Sequence, residues 1–379
     1  MIQTTARTTA RTMTRNKNVH VLTAAVSVIV LLGVSAAIAF AQPTHPQGNS
    51  NRGSSAAAPT SAPQAPTASP AQVRVMRVQG NVYVIAGAGG NITAQVGNDG
   101  VLLVDSGYVS TTDQVVAAVR SISDKPIRYI INTHIHPDHV GGNAAISQQG
   151  STIAGGNVVG DIGASASQGA TIVAFQSILD RMSAQDGKDK APEKAWPTDT
   201  YDGSEKKLFF NGEAIEIIHE PFAHTDGDSI VFFRRSDVVS TGDIITMAGY
   251  PIIDAERGGT IQGIIHGLNR LVYQITIPAE KQEGGTMVIP GHGRVCDQAD
   301  VVYYQEMVII IRDRIQAMID KGMTVDQVKA AKPTLDYDPL YASKGFWNPD
   351  RFVATIYQNL VDQQQKDQHA KDQHPKAQQ

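Results

Sequence analysis

Hydrophobic and polar positions divide the chain into four regimes. From Val19 to Ala41 it is almost wholly apolar; residues 42–72 are Pro, Ser, Ala, Thr, Gln and Gly with no apolar period. From Val73 to Leu360 short apolar runs alternate with turn residues, and residues 363–379 carry almost nothing apolar. Within the third regime, residues 81–85, 92–97 and 100–104 read as strands, the last two joined by the turn Asn98-Asp99-Gly100. Asp113 is placed to cap a helix whose Val115, Val119 and Ile122 share one face. Residues 127–132 form an apolar strand after Pro126. Residues 208–210 and 214–219 read as a hairpin around Asn211-Gly212, and 230–234 with 237–240 as another pair. Residues 161–197 read as a helix followed by a polar surface excursion, Asp186-Gly187-Lys188-Asp189-Lys190. Residues 300–322 form an amphipathic helix with Val308, Ile311, Ile315 and Ile319 on one side, and a helical segment continues to about Leu360. A mixed α+β domain over 73–299 follows, with a helical segment over 300–362 and a solvated, disordered tail over 363–379.

Composition narrows the function classes. Among 379 residues, 32 Lys+Arg against 36 Asp+Glu give a net charge of −4, which argues against a nucleic-acid binder. The single cysteine, Cys296, excludes an internal disulfide and a Cys-rich zinc module; next to a Pro-Gly turn it reads as a small buried hydrophobe. Arg7, Arg11, Arg15 and Lys17 precede the apolar run, which ends Ala39-Phe40-Ala41. That order of positive start, apolar core and small-x-small site reads as a signal peptide over 1–41, or as an uncleaved membrane anchor. Either places the chain outside the cytoplasm, periplasmic or secreted, with membrane contact only through this segment. No twin-Arg pair precedes the apolar run, which favours the general secretion route. Residues 42–72 then form a flexible linker.

The chemistry concentrates in Thr133-His134-Ile135-His136-Pro137-Asp138-His139, just past the 127–132 strand. Imidazoles and carboxylates are the donors that divalent cations prefer, and a loop at a strand end lets alternate side chains converge. Pro137 favours a rigid turn over a helix. His134 and His136 share a register, while Asp138 and His139 lie past the proline and can address a second point. His224 alone would read as a satisfied polar residue and Asp243 as a turn former. The histidine cluster changes that reading, because each follows a strand. His292, between two glycines, sits where backbone can approach a cleft closely. Asp105 can orient a ligand imidazole, or serve as a buried turn residue. His219 and His266 lack partner spacing, and His369 and His374 belong to the solvated tail.

With its His-x-His-x-Asp-His run, the chain resembles the metallo-β-lactamase superfamily. The later stations come in the family's order: Pro221-Phe222-Ala223-His224-Thr225, Ser240-Thr241-Gly242-Asp243 and Val288-Ile289-Pro290-Gly291-His292-Gly293, preceded by Gly100-Val101-Leu102-Leu103-Val104-Asp105-Ser106-Gly107. The resemblance implies an αβ/βα four-layer sandwich with a two-metal cleft. His134, His136 and His224 would hold one cation, Asp138, His139 and His292 the other, and Asp243 would bridge. Zn²⁺ is the expected cofactor, two per chain, with iron and manganese open. The implied function is an exported hydrolase of small molecules. Metal-activated hydroxide would attack the carbonyl of an ester, lactone, thioester or amide, with Asp138 as the catalytic residue that orients the nucleophile. A β-lactamase and a catalytically inactive metal-binding module are the alternatives. Aspartate at 243 disfavours the lactamases that use a Cys ligand there, and His136 disfavours the redox di-iron branch, which carries Glu. The loops around 155–201 and 247–263 would shape the substrate site. Oligomeric state is left open.

Overall fold

The structure is a computed structural model that describes residues 72–152 and 169–373. These fall within the compact unit Ala65–Gln379. The expected signal segment and nearly all of the linker lie outside the described residues, as does the start of the 161–197 stretch. Among the described residues, no helix is long and apolar enough to cross a membrane.

Two sheets carry the fold. The first has seven strands in sequential order: β1 (Arg74–Gln79), β2 (Val82–Ala86), β3 (Ile92–Gly97), β4 (Gly100–Val104), β5 (Ile127–Ile131), β6 (Thr171–Phe175) and β7 (Asp199–Tyr201). β1 to β4 run antiparallel and β4 to β7 parallel. The second sheet runs β12 (Met287–Ile289), β11 (Val238–Ser240), β10 (Asp228–Phe233), β9 (Glu213–Glu220), β8 (Glu205–Phe210). The β8–β9 turn, Asn211-Gly212, has both residues at positive φ, 51° and 79°, as a tight two-residue hairpin requires.

Alternation along each strand sorts side chains into layers, because successive residues point to opposite faces. Leu102 and Val104 of β4 meet Ile215, Ile217, Val231 and Phe233 of the second sheet in the core between the sheets. Val101 and Leu103 face the other way, against Val115 and Val119 of helix α1 (Thr112–Ile122). On the far side, Ile230 and Val239 pack with Ile264 and Leu268, with Val308 and Ile311, and with Phe352 and Ile356 from three helices. Each such buried side chain contributes about 1.5–3 kcal/mol through lost water contact. The result is the α+β four-layer sandwich with a helical C-terminal region.

Several expectations need correction. Residues 171–175, inside the stretch read as helical, form β6, because the parallel sheet offers that apolar run a buried slot. β1, polar and largely exposed, carries no clear pattern and was not expected. Asp113 does not cap α1; Thr111 stands at that position and Asp113 lies in the first turn. Pro137 begins a one-turn helix, α2 (Pro137–Val140), since a fixed φ and a missing N–H cost nothing at the first helical position. Helix α3 (Asn143–Gln148) and helix α4 (Gln176–Ser183) complete the outer layer of the first sheet's side of the fold. The polar tail does not fall out of helix at 363: the last helix spans Pro349–Gln373. Gln363–Asp367 and Gln368–Asp372 hydrogen bonds across one turn support it on a face exposed to water.

Candidate metal centre

The site sits where four strand ends face one edge of the sandwich. His134 and His136 follow β5, Asp138 and His139 occupy α2, His224 follows β9, Asp243 follows β11, and His292 follows β12. Backbone bonds lock these ends together. Ser229 N donates to Thr133 O at 2.8 Å across the two sheets, Asn91 N to Gly291 O at 2.7 Å, and Met247 N to His292 O at 2.8 Å.

All seven expected residues converge, in two groups. His134, His136, His224 and Asp243 form one, and Asp138, His139 and His292 the other; within each, one ligand atom per residue lies within 4.8 Å of the rest. Asp243 stands between them. Its Oδ2 is 3.9 Å from His134 Nε2 and 3.7 Å from His224 Nε2, while its Oδ1 is 3.3 Å from His139 Nε2 and 3.5 Å from His292 Nε2. Asp138 Oδ2 reaches His292 Nε2 at 3.2 Å.

Tautomers follow from what the outward nitrogens touch. His139 Nδ1 meets Asp105 Oδ2 at 2.7 Å, His224 Nδ1 meets Ile252 O at 2.7 Å, and His136 Nε2 meets Asp254 Oδ2 at 2.9 Å. Each of these acceptors takes a hydrogen bond from the outward nitrogen, so that the inward one can offer its lone pair to a cation. His224 Nε2 and His136 Nδ1 then face each other at 2.8 Å, both turned into the group. His134 Nε2, His139 Nε2 and Asp243 Oδ1 are buried and without a hydrogen-bond partner. Orphaned buried acceptors are costly, and several aimed at common points repel one another unless a cation sits among them. The donor set therefore fits divalent cations.

Charge responds to the same crowding. Burial, reinforced by the neighbouring His139, holds His134 well below the usual histidine range, and burial outweighs Asp243 to push His224 down to about 4. Burial opposes a proton on His139 too, but the Asp243 and Asp105 carboxylates outweigh it and hold this imidazole well above its ordinary value. For His292, burial again opposes, and Asp138 with Asp243 raise it to about 9.

Two glycines make room for this. A Cβ on Gly90 would lie 2.4 Å from the His139 ring, and one on Gly291 would lie 1.9 Å from Asp243 Oδ1. His219 and His266 stand apart, as expected: His219 stacks on Phe175 and bonds Asp226 O, and His266 bonds Glu220. Cys296 is a buried member of the apolar core beside the C-terminal helices.

The cleft beside these histidines and aspartates has a volume of about 320 Å³. His136, Asp138, Asp243 and His292 line one side; Ala248, Tyr250, Ile252 and Trp347 line the other. The 247–263 loop was expected to shape it. Ser343 and Trp347 were not, because nothing in their local sequence points to a site more than fifty residues away. Trp347 Nε1 donates to Pro251 O at 3.1 Å, and Tyr250 stacks on Phe352 at 4.7 Å, so the C-terminal segment is fastened to the cleft loop.

Comparison with known proteins agrees with this geometry. The family model described as the metallo-beta-lactamase superfamily matches residues 75–292. A linear primary-alkylsulfatase from a Pseudomonas species is 24% identical over 298 residues, which are 69% of this chain and 53% of that protein. The solved structure of the stereoselective inverting sec-alkylsulfatase Pisa1, also from Pseudomonas, aligns with a TM-score of 0.55 at 14% identity, covering 76% of this chain and 50% of that one. A double mutant of the same enzyme gives 0.57 at 15%, with the same coverage. This chain thus spans about half the length of the relatives it matches. With a family model that runs from β1 to His292, and a candidate donor set to match, the chain belongs to the metallo-β-lactamase superfamily.

Proposed function

We propose that this chain is an exported, metal-dependent hydrolase of sulfate esters that carry an apolar group. One observation carries the reading: a cleft with metal ligands on one wall and an apolar face of Ala248, Tyr250, Ile252 and Trp347 on the other. Such a cleft suits a substrate with a charged ester head and a hydrophobic substituent. The likeness to a linear primary-alkylsulfatase supports a sulfate ester among the possible heads. That class stood outside the carbonyl substrates suggested by sequence.

His134, His136, His224 and Asp243 would hold one cation, and Asp138, His139, His292 and Asp243 a second, with zinc preferred by this mixture of imidazole and carboxylate. When bound, the cations would supply Lewis-acid stabilisation of developing negative charge and a water acidic enough to react near neutral pH. Asp138 would orient that water and carry its proton. Its carboxylate faces the cleft beside His292, and the neighbouring imidazoles outweigh burial to hold it below its ordinary pKa, so it is an acceptor. The apolar wall would exclude water from the substituent and set its direction. Export rests on the positive start and apolar run before residue 42.

The purified full chain with medium-chain alkyl sulfates, measured by sulfate release, tests this. Turnover that is lost on chelation and restored by Zn²⁺ is expected. Turnover confined to a lactone, thioester or cephalosporin would move the substrate to the carbonyl class. Bound metal with no turnover of any of them would leave a metal-binding module.

A further inference from the structure

We infer that Asp254 is a positioning residue for His136, and that the polar excursion at 186–190 serves as its clamp. His136 is the one imidazole of the first group that must present Nδ1 inward, since its Nε2 points out to Asp254 Oδ2 at 2.9 Å. Two groups compete for that Nε2. The Arg257 Nη1 lies 3.4 Å away and would demand a lone pair there, which would put the proton on Nδ1 and spoil the inward donor. The carboxylate is nearer and accepts the Nε2 proton, and it also accepts from the same Arg257 Nη1, so that donor is engaged by Asp254 in place of the ring. Asp254 thereby sets which nitrogen of His136 is bare.

Asp254 is itself held. Its backbone N donates to His224 O at 3.0 Å, which ties it to the next ligand of the same group. Arg257 then reaches outward, with Nε donating to Asp189 Oδ2 at 2.8 Å and Nη2 to Asp189 Oδ1, a two-pronged pair with both side chains only 12% exposed. Lys188 pairs with Glu256 beside it. The order Asp189, Arg257, Asp254, His136 is a continuous chain of charge-assisted bonds from the surface excursion to the metal group. A fork of two parallel N–H···O bonds fixes direction as well as distance, which is what an orienting chain needs. Carboxylate partners of ligating imidazoles raise the basicity of the inward nitrogen and hold the ring, typically to the extent of about 10–100-fold in metal affinity.

The test uses the full-length protein with Co²⁺ and Zn²⁺ alone as probes, so it stays separate from the sulfate ester reading. Asp254→Asn is expected to weaken the Zn²⁺ held by the His136 group about 10–100-fold in competition with a chelator, and to alter the visible spectrum of the Co²⁺ form. Asp189→Asn touches neither His136 nor Asp254, and is expected to shift affinity in the same direction by less. Arg257→Lys keeps the charge, loses the fork, and should resemble Asp189→Asn. Should Asp254→Asn fail to fold, the other two variants decide. Wild-type affinity and an unchanged Co²⁺ spectrum in Asp189→Asn and Arg257→Lys overturn the clamp; the same result in Asp254→Asn overturns its positioning role. A protein that binds both metals as described yet releases no sulfate defeats the proposed function and leaves this inference standing.

Discussion

Asp105 Oδ2 lies 2.7 Å from His139 Nδ1, and both side chains are sealed from water. The same carboxylate accepts from Thr133 N at 2.8 Å and from Thr133 Oγ1 at 2.7 Å. One aspartate thus ties the end of β4 to the loop after β5 and turns an imidazole of the second group so that its Nε2 faces Asp243. It does so at φ 68°, in the left-handed region that Asn and Asp tolerate better than other side chains.

Asp105→Asn keeps that backbone and the size of the side chain but removes the charge behind His139. Zn²⁺ affinity is expected to fall about 10–100-fold, with the far-UV spectrum unchanged. Chelator competition measures it. Equal affinities in the two proteins would rule out an orienting role for this carboxylate.

Gly291→Ala tests the close approach in the Pro290-Gly291-His292 turn. The new methyl would lie 1.9 Å from Asp243 Oδ1 and 2.8 Å from the Gly242 carbonyl carbon, and the backbone atom cannot step aside as a side chain can. Displacing Asp243 by about 1 Å is enough to cost on the order of 100-fold in turnover. Metal content by elemental analysis should fall alongside the rate. A fully loaded, fully active variant would mean that Asp243 is not held where it is needed.

Trp347→Ala removes part of the apolar wall and the bond to Pro251 O. KM for long-chain substrates is expected to rise about tenfold, within the 1–3 kcal/mol that hydrophobic pocket contacts discriminate. The shortest member of the series should be little affected. A uniform effect along the series would place the hydrophobic group elsewhere.

Gly263→Ala sets local preference against tertiary packing. Gly263 lies within the helix Ile261–Arg270, where Ala would be favoured by about 1 kcal/mol on propensity alone. Its Cβ, however, would sit 1.8 Å from Phe222 O, at the loop that leads to His224. Overpacking against backbone typically costs about 1–3 kcal/mol or more, so denaturant unfolding should show net destabilisation. A stabilised variant would mean that the helix docks less closely than described.

Much of the candidate centre was legible because most of its residues stand just past strand ends, where a period of two runs into a turn and residue type alone carries the signal. His134, His136, Asp138, His139, His224, Asp243 and His292 could each be named from that pattern together with the family's motif. β6 was misread because a short apolar run looks alike in a buried strand and a buried helix. Asp254 and Trp347 left no local trace. One sits in a loop and the other before a late helix, and each acquires its role only from a partner more than ninety residues away.

By itself, then, the sequence determined which side chains can bind metal and which strands alternate into which layer, since donor chemistry and the two-residue period are local properties. The tertiary structure alone decided which imidazole nitrogen faces inward, which glycines leave room for the ligands, and which distant segment closes the cleft. Those depend on atoms brought within hydrogen-bond or van der Waals reach by the packing of two sheets and their helices, a reach that falls off over a few ångströms and does not register along the chain.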